Sequence, residues 1–159
     1  MSRAPGSGPS DQRRPHGGQS GGRGSPESSG GGPVFDPQKP LAELVDSLAE
    51  KQANMIVEGE NLNSSQLRRF FGDIKSLYWQ LEQGVDYTTR IEPRFKMMRS
   101  KAAYAHRTGQ SPRSKISDAF YRFISEGVSR VRNQDDFRAF VQHFEAVVGF
   151  LYGSGKVGK

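Results

Sequence analysis

The fold is decided by residues 133–153, which read NQDDFRAFVQHFEAVVGFLYG. One stripe of apolar side chains in this stretch consists of Phe137, Phe140, Val141, Phe144, Val147, Val148 and Leu151. They recur at the spacing of one helix face, which predicts an amphipathic α-helix. Asn133 and the acids Asp135 and Asp136 suit the free backbone amides of a helix start, and the helix is predicted to end at Gly153.

Working outward, four upstream segments show the same periodicity, and none alternates as a β-strand would. The predicted helices cover about 40–55, 63–83, from 89–93 to 108, 114–131 and 133–153. The predicted inner faces of the first four are Leu41, Leu44, Val45 and Leu48; Leu67, Phe70, Phe71, Ile74, Leu77, Tyr78 and Leu81; Ile91, Phe95, Met98, Ala102 and Ala105; and Ile116, Phe120, Phe123, Ile124 and Val128. The predicted fold class is therefore all-α, a compact five-helix bundle.

Short polar residues indicate where the second and third helices begin. Asn63 with Gln66 and Thr89 with Glu92 each have the spacing of a capping box. Gly84 can end the second helix.

The N-terminal quarter of the chain has a different composition. Gly, Pro and Ser make up 23 of residues 1–38, and the sizeable hydrophobes after the initiator Met are Val34 and Phe35. Such a stretch buries too little apolar surface to offset its ordering entropy. We therefore predict a disordered tail over 1–38, a helical-bundle domain over 39–153 and a frayed C-terminus over 154–159.

The positive charge of the chain is concentrated in one segment. The chain carries a net charge of +6. Between Arg90 and Lys115 there are eight basic residues and one acid, Glu92, so this segment alone carries +7. A face that only solvates the protein usually mixes charge signs, whereas an unmixed cationic face favours a phosphate backbone as the ligand.

A second set of candidates lies on the outer face of the second helix. Arg68, Gly72, Lys75 and Trp79 line up there at helical spacing. Trp79 and Tyr104 are candidates either for stacking on an unpaired base or for contact with another subunit. For Tyr104, next to Ala103, peripheral packing is the expected role. The candidate RNA-binding residues are Arg68, Arg69, Lys75, Lys96, Arg99, Lys101 and Arg107.

The residues needed for catalysis or metal binding are not brought together by any motif. The three histidines are His16, His106 and His143, and no HxxxH or HExxH pair is present. His143, beside Phe144, is interpreted as a boundary residue. The sequence contains no cysteine and no apolar run of membrane-spanning length. We expect no enzymatic activity, no metal, no cofactor, no membrane partner and a cytoplasmic location.

Three stretches resemble one family when they are taken in order. Residues 62–70 read LNSSQLRRF, residues 97–105 read MMRSKAAYA, and residues 144–148 read FEAVV. They are similar to the small helical subunit of the type III-A CRISPR effector, the Csm complex. The resemblance covers about residues 40–153 and leaves out the tail.

The resemblance implies a small, non-catalytic five-helix subunit of an antiviral ribonucleoprotein. Several head-to-tail copies would stack beside the other effector subunits and contact the backbones of guide RNA and single-stranded target RNA. It implies RNA contacts at Arg68 and Arg69 and at Arg99 and Lys101, with Arg107 taking a family arginine's role at a shifted position. Two alternatives stay open: the related type III-B small subunit, and a helical adaptor whose basic face docks an acidic protein.

Overall fold

The structure, a computed structural model, describes Gly6 and residues 34–58, 62–108 and 116–157. Its helical elements are α1 (Leu41–Leu44), α2 (Ser47–Val57), α3 (Ser64–Glu82), a π-helical turn (Tyr87–Ile91), α4 (Glu92–Lys96), α5 (Met98–Thr108), α6 (Asp118–Arg130) and α7 (Gln134–Gly153). The pair α1–α2 corresponds to the first predicted helix, and the π-helical turn with α4 and α5 corresponds to the third. The prediction of an all-α five-helix bundle is confirmed.

The helix on which the fold prediction rests, α7, is the centre of the bundle. It packs against α1, α2, α3 and α6. The Asn133 side chain accepts a hydrogen bond from the Asp136 amide at 2.8 Å, which confirms the predicted cap. The predicted inner face is buried, with Val148 only half-buried. His143, which was predicted at the boundary, is instead completely buried.

Aromatic rings from three directions meet α7. Edge-to-face pairs join Phe35 to Phe140 at 5.2 Å, Phe95 to Phe137 at 4.9 Å and Phe123 to Phe144 at 5.0 Å between ring centroids. Each such pair stabilises the fold by about 0.5–1.5 kcal/mol beyond the area it buries. On α6, a Cβ atom at Gly127 would lie 2.5 Å from Cε2 of Phe140, so α6 approaches α7 through a glycine.

The first predicted helix is divided, and its predicted inner face is only partly correct. The helix breaks at Asp46, whose φ and ψ are −123° and −101°, so that α2 starts in a new register. Leu44 is buried as predicted, but the Leu41 side chain is 44% exposed. After the break, Ala49, Ala53 and Ile56 are among the residues of α2 that are buried in the core.

The start of α3 is confirmed and that of the next helical segment is corrected. The Asn63 side chain caps α3 by accepting from the Ser65 and Gln66 amides, and Gly84 follows the helix at φ +91°. The residue that caps the next segment is Asp86 rather than Thr89. The Asp86 carboxylate accepts from the Thr89 amide at 2.9 Å and from the Thr89 hydroxyl at 2.6 Å, which also lowers its pKa.

The packed domain begins earlier than the composition predicts. Phe35 belongs to the stretch assigned to the tail, yet it is completely buried against Phe140. Its carbonyl accepts a hydrogen bond from Arg130 Nη1 at 2.7 Å, and the Val34 amide donates to Gln52 Oε1 at 2.9 Å. We call residues 34–38 the N-terminal strap. Of residues 1–33, only Gly6 lies within the described part of the chain.

The C-terminal residues that follow α7 also contact the domain. Val157 forms an isolated parallel bridge with Leu62 and packs against the core. Gly155 makes the turn that leads there, with φ +71°. The prediction of a frayed C-terminus over 154–159 therefore does not apply to the stretch that ends at Val157.

Candidate nucleic-acid interface

Within the described part of the basic segment, α5 exposes its cations because its opposite side is anchored in the core. Met98 and Ala102 of α5 are buried in the core. The 100° turn per residue then directs Arg99 toward α6, Lys101 toward α3 and Arg107 outward, and all three are exposed. Arg69 of α3 lies across a groove from Lys101. We call Arg69, Arg99, Lys101 and Arg107 the cationic face.

The groove between α3 and the α4–α5 segment has two halves. One half, with a volume of about 260 Å³, is lined by Gln66, Arg69, Phe70, Asp73, Ser100, Lys101, Tyr104 and Ala105. The other half, of about 350 Å³, is lined by Asp73, Ser76, Leu77, Gln80, Arg94, Met97, Met98 and Lys101. Asp73 and Lys101 line both halves and form an ion pair with 3.5 Å between Nζ and Oδ2. We call the whole feature the α3–α5 groove.

Two large apolar side chains beside this groove face solvent. Tyr104 is 72% exposed and Met97 is 56% exposed. Tyr104 lies beside Arg69 and Lys101 at one end, and Met97 beside Arg94 at the other. An aromatic face beside cations is the arrangement that stacks on an unpaired base.

The opposite flank of α5 is held to α6 by aromatic and polar contacts. The His106 ring stacks on Tyr121, with 4.7 Å between centroids and 17° between planes, and His106 Nε2 contacts the Asp118 carboxylate. Arg99 lines a neighbouring cleft with Tyr121 and Ser125. These contacts fix the orientation of α5, so its cationic side chains extend from a rigid helix.

Lys96, a predicted RNA contact, has a structural role instead. Its Nζ donates hydrogen bonds to the carbonyls of Val128 at 2.9 Å and Val131 at 2.6 Å. The Val128 carbonyl also accepts from the Val131 amide at 3.3 Å, and a cation suits this C-terminal end of α6. Burial lowers the pKa of Lys96, and nearby Glu92 partly offsets this shift. Helical spacing places Lys96 on the same side as Arg99, but the carbonyls of Val128 and Val131 bind its amine.

Three further predicted residues lie on the other side of α3, facing α7. Arg68 Nε donates to the Tyr152 hydroxyl at 3.3 Å, and Lys75 pairs with Glu145 at 3.5 Å. Trp79 continues this side and is 64% exposed. The seven predicted basic residues and the two aromatic residues are thus distributed over two faces of the bundle.

Sequence reasoning missed two residues of the α3–α5 groove. Arg94 was recognised as basic but not assigned to the interface, and Asp73 was not recognised because the charge count covered only residues 90–115. The spacing of Arg69 and Asp73, four residues apart on α3, is the signal that could have shown them on one side of the helix. Arg113, Lys115 and His16 lie outside the described residues.

The described ranges contain no group of three or more histidine, cysteine or acidic side chains that could hold a metal ion. Within the same ranges no helix is long and apolar enough to cross a membrane. His143 is enclosed by Phe35 and Phe123 and donates from Nδ1 to the Leu44 carbonyl. Burial lowers its pKa, and the bond to Leu44 opposes this shift.

A separate cleft of about 570 Å³ lies away from the cationic face. It is lined by Ser47, Glu50, Lys51, Asn54, Met55, Val57, Glu58 and Lys156. This cleft is open and mixes acids with lysines, so its charge selects neither an anion nor a cation.

The fold and this surface define a class: a small all-α bundle protein with exposed cations on two neighbouring helices, α3 and α5. The family model described as Csm2 Type III-A matches residues 39–152. The chain therefore belongs to the Csm2 family, the structural small subunit of the multi-subunit type III-A Csm effector complex of CRISPR systems. No curated protein and no solved structure matches the chain.

Proposed function

We propose that this chain is a non-catalytic subunit that binds the sugar-phosphate backbone of RNA without reading sequence. The observation that supports it is the exposure of four cations around the outer side of α5: Arg69 and Lys101 on the flank toward α3, Arg99 on the flank toward α6, and Arg107 facing outward. In the type III-A effector, this face lines the channel for guide RNA and target RNA. In such complexes base pairing supplies sequence recognition, so the protein needs only charge and shape. The complex acts in the cytoplasm.

The chemistry of the cationic face suits phosphate. Arginine presents a planar fork of N–H donors that matches phosphate oxygens, and lysine binds phosphate as a point charge. Four contacts to a single strand predict a slope of about −2.8 when log affinity is plotted against log salt. Lys96 is left out of this set because α6 carbonyls hold its amine.

Tyr104 adds an aromatic platform to the same face. Its exposed ring lies at the groove between Arg69 and Lys101. We assign it to stacking on one unpaired base, an interaction of about 1–3 kcal/mol that every base can make. Affinity then depends on unpaired nucleotides but not on their identity.

The α3 side that faces α7 suits a protein contact better than a phosphate backbone. Its cations Arg68 and Lys75 are already engaged by Tyr152 and Glu145, and Trp79 extends from it. Exposed tryptophan is enriched at the energetic centres of protein interfaces. We assign this side to subunit contact, including the head-to-tail stacking of copies, a contact that joins unlike patches.

The experiment that tests RNA binding replaces Arg99 and Lys101 together with Glu. Anisotropy of a labelled, unstructured single-stranded RNA is measured with the full chain and with the assembled complex over a salt series. We expect the variant to bind more weakly and with a shallower salt slope while its far-UV circular dichroism is unchanged. The matched control replaces Lys39 and Lys51, which are exposed outside the cationic face, with Glu.

The control variant is expected to lose much less affinity because it changes the net charge equally but not the face. Equal affinity for the wild type and the R99E/K101E variant across the salt series would overturn the proposal. A nucleic-acid-free acidic protein that co-purifies stoichiometrically and is released by the same variant would favour the adaptor function instead.

A further inference from the structure

We propose that Asp73 competes with RNA phosphate for Lys101 and so sets the strength with which the α3–α5 groove holds RNA. The inference rests on the proposed function. Its physical basis is a single acid placed in an otherwise cationic groove: Asp73 lines both halves of that groove, and its Oδ2 lies 3.5 Å from Lys101 Nζ.

The surroundings of the ion pair are cationic along the whole groove. Arg69 and Lys101 line the half with Tyr104, while Arg94 and Lys101 line the half with Met97. Asp73 is the one acid among the residues lining the two halves. A carboxylate in this position presents the same oxygen chemistry to Lys101 as a phosphate would.

The ion pair can exchange because it is exposed. The side chains of Lys101 and Asp73 are 49% and 43% exposed. Exposed pairs of this kind are weak and screened by salt, so Lys101 can rotate toward a phosphate with little loss. The carboxylate left behind repels the bound strand, which keeps binding reversible.

The decisive variant is Asp73→Asn, compared with Glu43→Gln, which removes one exposed acid on α1 outside the groove. Full-length proteins are titrated into labelled, unstructured single-stranded RNA, and folding is checked by circular dichroism. We expect D73N to bind roughly two- to fivefold more tightly, as the removal of one screened charge interaction allows. The log–log salt slope should steepen by at most about 0.7, the value for one phosphate contact, because Lys101 no longer exchanges one ion pair for another when it binds phosphate.

A double variant separates competition from simple repulsion. If Asp73 acts by holding Lys101, D73N should gain less affinity in a Lys101→Gln background than in the wild type. An equal gain in both backgrounds, or no gain over E43Q, would overturn the inference. If D73N does not bind RNA more tightly while R99E/K101E still binds more weakly, only the role of Asp73 is refuted. If both leave binding unchanged, the proposed function itself is refuted.

Discussion

Replacing Phe35 with Ala tests whether the N-terminal strap is part of the folded domain. The composition of residues 1–38 predicts a tail, whereas the structure buries Phe35 against Phe140 and His143 at centroid distances of 5.2 and 5.5 Å. If the strap is part of the core, the substitution must destabilise the whole domain. If it belongs to the tail, stability must stay the same.

The expected loss follows from the burial. A phenylalanine side chain buries roughly 150–250 Å², and at about 25 cal/mol per Å² the lower bound corresponds to about 4 kcal/mol. Phe→Ala substitutions in protein cores cost about 3–5 kcal/mol. Because the strap lies at the edge of the domain and can partly detach, which relieves the cavity, we expect a loss near 3 kcal/mol.

The assay is urea unfolding of the full chain, followed by far-UV circular dichroism, with Leu41→Ala as the control. Leu41 is also a large hydrophobe near the start of the domain, but it is 44% exposed. Its truncation should cost less than about 1 kcal/mol. If the Phe35 and Leu41 variants lose the same small amount, the packing of the strap described above is refuted.

Three further outcomes are expected. Lys96→Met should lower the free energy of unfolding by about 1–3 kcal/mol, because the Val131 carbonyl loses the amine and the Val128 carbonyl keeps only the Val131 amide as donor. RNA anisotropy should show unchanged affinity for this variant, and a loss matching that of the Arg99 and Lys101 variant would restore Lys96 to the interface. Burial lowers the pKa of folded His143 below 6.5, so the unfolded chain takes up a proton more readily and the free energy of unfolding should fall as the pH drops from about 6.5. In a His143→Leu variant, the urea midpoint should no longer show this contribution of His143 to the pH dependence. Gly127→Ala should destabilise the domain by about 1–3 kcal/mol, because the added methyl group clashes with Phe140. Gly72→Ala should instead stabilise the domain by up to about 1 kcal/mol, because the space around Gly72 is open and alanine favours a helix. Thermal unfolding measures both changes.

Helix positions and most of the core could be predicted from the sequence because both follow from local spacing. The predicted stripe of α6 is buried, and those of α3 and α7 are buried apart from the half-buried Phe71, Tyr78 and Val148. The caps at Asn63 and Asn133 were predictable for the same reason, since a cap bonds an amide two or three residues away. The first helix departed from its stripe because the break at Asp46 resets the register.

The cationic face was predictable only in part. Arg99, Lys101 and Arg107 are exposed, as their positions relative to the apolar stripe of α5 imply. Pairing of Lys101 with Asp73 depends on the approach of α3, twenty-eight residues away along the chain. A charge count along one segment cannot include an acid that another helix brings into the groove.

The sequence by itself determined that this chain is an all-α bundle with its positive charge concentrated on one helical segment. Its motifs also indicated the Csm2 family. Tertiary structure alone decided which other residues these side chains contact: Phe35 packs against Phe140 and His143 of α7, and the Lys96 amine is held by the carbonyls of Val128 and Val131. The physical reason is range. Helical periodicity acts over a few residues, whereas burial and hydrogen bonding of a side chain depend on segments distant in the chain.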